Sequence, residues 1–299
     1  GVEFEINAGE RLGVVGESGC GKSMTMRSLL RLLPEHKISV SGSVNFQGKN
    51  LLTLPKPELN TIRGSEIGFI FQDPMTGLNP LRTIGSQMIE ALIVHRNVSK
   101  NEAITIAADW LEKCGIRGGA ARLKQYPHQF SGGMRQRVLI AMALMLEPKL
   151  IVADEPTSAL DVTVQAQILL LLDEMQKELG LSIILVSHNL AVISQFCDRL
   201  AVMYAGRIVE LGPTQQIVSN PRHPYTRALL ETQPQRQEAA RTKMNVIEGT
   251  PPVLDKILES CPFAARCDHR QASCNSEQGH SRNGKVTFLC DVDPFSGAA

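Results

Sequence analysis

The stretch Gly16-Glu17-Ser18-Gly19-Cys20-Gly21-Lys22-Ser23 constrains this chain more than any other. It fits the phosphate-binding loop pattern of Gly, four residues, then Gly-Lys-Ser. Leu12, Val14 and Val15 before it read as a short buried strand, and Met24 to Leu33 after it as an apolar-rich helix. Glycines let the backbone curl until successive N–H groups face an anion, and the following helix adds its positive end. Lys22 can reach the β- and γ-phosphates, and the Ser23 hydroxyl can take a place on Mg²⁺. Gly16, Ser18, Gly19, Cys20, Gly21, Lys22, Ser23 and Met24 are therefore the candidate phosphate contacts.

The bulk properties narrow the class. A chain of 299 residues makes one large or two modest domains. Charged content of 20% and a net charge of +1 give no bulk reason to expect nucleic acid. No apolar run approaches the length of a membrane span, and no signal-peptide pattern opens the chain. The expectation is a protein soluble on its own, reaching any membrane through a partner. The chain begins without Met on strand-like sequence, with Val2, Phe4 and Ile6 alternating with Glu3 and Glu5, so residues upstream are expected to be missing. Of seven cysteines, Cys20, Cys114 and Cys197 are scattered and read as small apolar fillers, with the Cys20 thiol a candidate for modification. The other four fall between Cys261 and Cys290, and without a secretion signal such a cluster points to metal before disulfide.

Taken in order, Val44 to Phe46, the turn Gln47-Gly48-Lys49, and Ile67 to Phe71 read as strands. From Thr83 to about Leu146 the spacing is helical, with one helix starting after Ser131-Gly132-Gly133 and closed by Pro148. Leu150 to Glu155 is an apolar run ending in two acids, the pattern of a strand buried on both faces. A helix from about Val164 to Leu179, a buried strand from Ser182 to Ser187, and a strand pair around Gly206 follow. Alternating strands and helices predict an α/β core with a mainly parallel sheet, an antiparallel part, and a helical subdomain over about 80–147. Composition shifts near Asn220, where prolines and the polar stretch Gln233 to Lys243 suggest a linker and a small module. The predicted domains are thus 1–219 and 220–299.

Two further sites stand out. Asp154-Glu155 closes a buried strand, where one acid can hold Mg²⁺ through water and the next can act as general base for an attacking water. Ser131-Gly132-Gly133-Met134-Arg135-Gln136-Arg137 opens a helix and makes a second anion-binding terminus. One chain rarely needs two such termini for one nucleotide, so a natural use is for the second to cover phosphates bound by another subunit.

The phosphate loop, Gln72, Ser131-Gly132-Gly133-Met134-Arg135-Gln136, Asp154-Glu155, Ser158-Ala159-Leu160-Asp161 and His188 occur in the order and spacing of ABC-transporter ATPase subunits. The resemblance covers roughly residues 1–215. It implies that Lys22 and Ser23 bind phosphates and Mg²⁺, and that Gln72 contacts Mg²⁺, senses the γ-phosphate and faces the membrane subunit. It further implies that Ser131, Gly132, Gly133 and Gln136 cover the opposite subunit's ATP. Asp154 would support Mg²⁺, Glu155 would be the general base, Asp161 would link the two sites, and His188 would contact the γ-phosphate. The aromatic residue on which this family stacks adenine has no counterpart in the fifteen residues before Gly16.

The tail narrows the resemblance. Asn220-Pro221-Arg222-His223-Pro224-Tyr225-Thr226-Arg227-Ala228-Leu229-Leu230 and Gly249-Thr250-Pro251-Pro252 resemble the extension of oligopeptide and dipeptide importer ATPases. Cys261-Pro262-Phe263-Ala264-Ala265-Arg266-Cys267, Cys274 and Cys290 resemble its cysteine set, which holds a 4Fe–4S cluster in some members; Ala264-Ala265 departs from the proline usual before the Arg. Four thiolates can hold either zinc or an iron–sulfur cluster. Gaps of five, six and fifteen residues are wider than structural zinc pairs favour, so a cluster is the expectation and zinc the alternative. His269 and His280 could substitute as ligands, although loop histidines are more commonly solvated. The implied partners are a second ATPase subunit, identical or paralogous, two permease subunits, and an external solute-binding protein. The implied location is the cytoplasmic face of the bacterial inner membrane. Peptide is the implied solute, with nickel or sugar left open, and an ABC-type DNA-maintenance ATPase carrying a zinc finger is the rival class.

Overall fold

The computed structural model describes residues 1–74, 76–158, 160–232, 246–253, 260–276, 278–290 and 292. The chain opens with β1 (Arg11–Val15) and α1 (Lys22–Leu29), then a hairpin of β2 (Asn45–Phe46) and β3 (Lys49–Asn50), α2 (Lys56–Ile62) and β4 (Ile67–Ile70). Helices α3 (Ile84–Arg96), α4 (Lys100–Lys113), α5 (Gly119–Arg122) and α6 (Gly132–Leu144) follow. Next come β5 (Leu150–Asp154), α7 (Val162–Leu179), β6 (Ser182–Ser187), α8 (Leu190–Phe196), β7 (Arg199–Tyr204) and β8 (Arg207–Pro213). Last are α9 (Thr214–Ser219), α10 (Pro224–Glu231), β9 (Ser281–Asn283) and β10 (Val286–Phe288). The α/β class expected from the sequence is borne out. The polar stretch 233–243, expected as a linker, lies outside the described residues, as does Ala159.

Contacts divide the chain into two compact units, one of Gly1–Thr25 with the described residues from Leu185 onward, the other of Met26–Ile184. In the first unit β1 pairs in parallel with β7, from Leu12 opposite Arg199 to Val15 opposite Val202. β7 turns back into antiparallel β8 through Ala205 and Gly206, both at positive φ, the turn whose twist suits a tight hairpin. The far edge of β8 is then taken by β10, with Thr287 opposite Leu211 and Phe288 opposite Glu210, and β9 completes the order β1-β7-β8-β10-β9. This division groups the tail with β1, β7 and β8. The tail closes an edge that would otherwise expose unpaired backbone, so it shares a sheet with β8 and does not stand apart.

The tail is fastened at its start by a buried acid. Glu210 on β8 is fully buried, and its carboxylate accepts from the backbone N–H of Arg222 at 2.9 Å and of His223 at 3.0 Å. His223 Nδ1 in turn accepts from Tyr225 N–H and caps α10. Burial pushes the Glu210 carboxyl up, and these donors pull it partly back.

In the second unit β4 and β5 pair in parallel, from Ile67 opposite Leu150 to Ile70 opposite Ala153. Val138, Leu139, Ile140, Ala141, Ala143 and Leu144 of α6 are all buried, as befits a helix apolar on most of its circumference. α6 packs on β4 and against α3 and α4, the helical stretch the sequence placed at about 80–147. The Arg63 guanidinium closes the end of α1 by donating to Leu30 O at 2.6 and 3.0 Å and to Arg31 O at 2.8 Å. β6, buried along its whole length, carries the chain from the second unit into the first.

One expectation fails. Val2, Phe4 and Ile6 keep the alternating exposure of a strand, but residues 1–10 join no ladder in the described structure. Alternation reports a half-covered extended segment, and pairing also needs a neighbouring edge. Replacing Glu210 with Ala should strand two buried donors and lower the unfolding free energy by about 2–3 kcal/mol, with Gln keeping part of it. Urea denaturation followed by intrinsic fluorescence measures this.

Candidate functional site

The first unit holds the phosphate loop. It leaves β1 at Val15, turns through Glu17–Cys20, and enters α1 at Lys22, the strand–loop–helix context expected from the sequence. The helix starts two residues earlier than its apolar pattern suggested. Gly16 is required by sterics: a Cβ there would collide with the Met203 carbonyl oxygen on the neighbouring strand, and would come within 2.8 Å of Cys20 Sγ. Lys22 is buried, and its ammonium donates to Gly16 O at 2.8 Å and to Glu17 O at 3.0 Å. That ammonium thus satisfies the first two carbonyls of the loop.

Glu17 is bound at each of its polar groups. Its N–H donates to Tyr225 Oη at 2.9 Å, and its carbonyl accepts from Lys22. Its carboxylate takes two hydrogen bonds from the Arg266 guanidinium, at 2.7 and 3.1 Å. Tyr225 lies on α10 and Arg266 between two of the clustered cysteines, so the tail reaches the phosphate loop. Sequence reading noted both residues as parts of motifs and gave neither a contact with the loop. No periodicity or spacing connects positions 208 and 249 residues apart.

Cys20 is placed as the apolar filler its residue type suggested, and its burial argues against the modification its loop position allowed. It is buried, and that burial raises its pKa more than the nearby Lys22 ammonium lowers it. Burial likewise pushes Cys114 up to about 12 and Cys197 upward. His188 follows β6 directly, is exposed, and precedes Asn189, the residue that caps α8.

The second unit holds the acids. β5 ends in Asp154, fully buried, with Arg27 Nη2 at 3.9 Å from its carboxylate. Glu155 follows at φ 46°, a left-handed conformation that costs a non-glycine residue about 1–2 kcal/mol. Its carboxylate accepts from Gln72 Nε2 at 3.0 Å, so two of the expected residues, far apart in sequence, are brought together. Ser131 caps α6 by accepting from Met134 N–H, and Asp161 caps α7 by accepting from Val164 N–H. Gly132 and Gly133 form the first turn of α6. Gln136, expected to reach another subunit's nucleotide, is buried within this chain, which is a different placement from the exposed Ser131 and Gly132.

The four clustered cysteines also converge. Cys261, Cys267, Cys274 and Cys290 line one small pocket with His223, Phe263 and His269; His280 is not among its lining residues. Cys261 N–H donates to Cys274 O at 3.1 Å, which ties two of the cysteine loops together. Burial pushes the Cys261 thiol up to about 11, and the nearby Cys274, Cys290 and Cys267 push the same way, since their anions would repel its own. Burial also raises Cys267. As they stand, no group of three or more His, Cys, Asp or Glu side chains among the described residues is arranged to hold a metal ion.

Two known families match this chain: ABC transporter over residues 1–158, and the oligopeptide/dipeptide transporter C-terminal region over residues 209–274. The chain belongs to the ABC transporter family, as an ATP-binding, ATPase-type subunit bearing that C-terminal region. The dipeptide transport ATP-binding protein DppD of Bacillus subtilis is 49% identical over 276 residues, 92% of this chain and 82% of that protein. The oligopeptide transport ATP-binding protein OppD of Salmonella typhimurium is 47% identical over 275 residues, again 92% and 82% of the two chains. Among solved structures, the dimeric post-hydrolysis ATP-binding cassette MJ0796 bound to ADP and Pi superimposes with a TM-score of 0.63. It is 30% identical and covers 71% of this chain and 89% of its own. These relatives agree with the transporter reading and give none to the DNA-maintenance alternative.

Buried, protonated Cys20 should react with iodoacetamide at neutral pH at least ~10-fold more slowly in the folded than in the denatured chain. Peptide mapping of the alkylated protein reads this directly.

Proposed function

We propose that this chain is the ATP-hydrolysing subunit of a peptide importer, with residues 1–219 as nucleotide-binding domain and 220–299 as extension. The relatives' peptide-transport names support the solute class. The observation that carries the hydrolytic role is Glu155, held in a strained backbone conformation at the end of β5 with its carboxylate against Gln72. Backbone strain of this kind clusters at active sites.

In this reading the N–H groups of Gly16 and of Ser18 to Met24, with the Lys22 ammonium, hold the phosphates. The Glu155 carboxylate accepts the proton of a water as its oxygen bonds to the γ-phosphorus, and the bond to the leaving ADP oxygen breaks. His188 and Gln72 contact the γ-phosphate. Ser23 offers a hydroxyl, Gln72 an amide oxygen and Asp154 a carboxylate, the hard oxygens that Mg²⁺ prefers. Mg²⁺ would neutralise charge on the β- and γ-oxygens.

A second subunit completes the site. Ser131 and Gly132 are exposed and Gly133 half-buried at the start of α6, as suits a helix end that covers a partner's nucleotide, and Asp161 would link two such sites. The MJ0796 cassette, dimeric with ADP and Pi, supports this arrangement. ATP that binds only the closed pair shifts the equilibrium toward it. No described helix is long and apolar enough to cross a membrane. Together with the relatives' peptide-transport names, the family supports a subunit at the cytoplasmic face of the inner membrane that acts on two permease subunits, with a solute-binding protein outside.

The four thiols that line one pocket would be the donor set of a 4Fe–4S cluster, with zinc as the alternative. Their mutual repulsion as anions is the charge that a bound cation relieves. A cluster would supply cross-links between the tail's loops.

Glu155→Gln should bind ATP with near-native affinity and lose at least ~100-fold in hydrolysis. Near-native turnover in that variant removes Glu155 as the base. Anaerobically purified protein should contain iron and acid-labile sulfide, and colourless protein with stoichiometric zinc decides for the alternative.

A further inference from the structure

The tail's hold on the phosphate loop has no place in the hydrolytic scheme above. Arg266 is almost completely buried, with its side chain 5% exposed. Its guanidinium spends most of its donors on two addresses. One is the Glu17 carboxylate, gripped in the two-pronged geometry that suits a planar guanidinium. The other is the tail itself: Ile247 O at 3.0 Å and Glu248 O at 2.8 Å, presented by a segment that turns at Gly249 with φ 78°. It also donates to Tyr204 Oη at 3.1 Å and lies 5.8 Å from the Tyr204 ring centre. Phe263, three residues before Arg266, is buried against Tyr204 and Tyr225 with ring centres at 5.3 and 5.4 Å. Tyr225 then takes the Glu17 N–H.

We propose that Arg266 is a positioning residue for ATP binding: acting through Glu17, and seconded by Tyr225, it fixes the conformation of the phosphate loop. The proposal rests on that loop binding the phosphates of ATP. Glu17 is the second residue of the loop. With its N–H drawn outward to Tyr225 and its carboxylate to Arg266, the backbone that follows is set to turn its N–H groups inward. A free loop would have to be ordered by the nucleotide, and that ordering subtracts from affinity. The extension thereby tunes how tightly the ATPase holds its substrate, through side chains outside every motif that touches nucleotide.

The test measures binding of a fluorescent ATP analogue and the hydrolysis parameters of the whole chain. Arg266→Ala and Glu17→Gln should each weaken ATP binding about tenfold, raising KM with kcat changed less than about twofold. Their combination should be no worse than either alone, because both remove one interaction. Arg266→Lys should recover part of the loss. Where Arg266→Ala fails to fold, Glu17→Gln carries the same expectation, since it leaves Arg266 bound to the tail carbonyls. Wild-type affinity in Glu17→Gln, or fully additive losses in the double variant, overturns the proposal. Lys22→Ala is the separate control: undiminished ATP binding in that variant refutes phosphate binding by the loop itself, whatever Arg266 does.

Discussion

A loop that binds phosphate has to turn its N–H groups inward, and must then find partners for its carbonyls and outward side chains. Here that burden converges on Glu17. Lys22 closes the loop from within by bonding the Gly16 and Glu17 carbonyls. Tyr225 and Arg266 close it from outside, and the packing that makes this possible is aromatic. Tyr204 on β7, Tyr225 on α10 and Phe263 beside Cys261 form one cluster that holds the two donors in place. With the arginine side chain buried and the acid part-exposed, this ion pair depends on complete hydrogen bonding, and the guanidinium has two bonds to the acid and further ones to backbone.

The tail is part of this construction. β10 covers the edge of β8, and Glu210 pins the chain where it leaves the sheet at Arg222 and His223. The cysteine pocket adjoins that anchor, with His223 in its wall. Burial drives His223 down to about 3, so at neutral pH it is an uncharged cap on α10 and leaves the thiols without a cationic neighbour there.

Much of this was legible in the sequence, and the reason differs by element. Buried strands such as Ser182–Ser187 announce themselves because both faces are apolar, and β6 has those bounds. The phosphate loop and Asp154-Glu155 are readable because their chemistry needs fixed residue types at fixed spacing. The positive φ of Glu155 and its bond to Gln72 were not readable, since a backbone conformation and a contact across 83 positions leave no local pattern. Val2 to Ile6 shows the opposite error, in which a clean alternation lacks a partner strand. The grip of Arg266 was hidden for a third reason: an arginine between two cysteines reads as part of their motif, and only the fold shows that it faces elsewhere.

The separation of the Glu17–Arg266 pair also orders events during synthesis. The loop leaves the ribosome 249 positions ahead of its clamp. At ordinary translation speeds that is a delay of roughly 10–50 s. Through that interval the nascent chain carries a phosphate loop without its outer supports. The ATPase reaches its finished grip on nucleotide only once the cysteine-rich tail has been made and folded back, so a prematurely ended chain would be a poor competitor for ATP and for partner subunits.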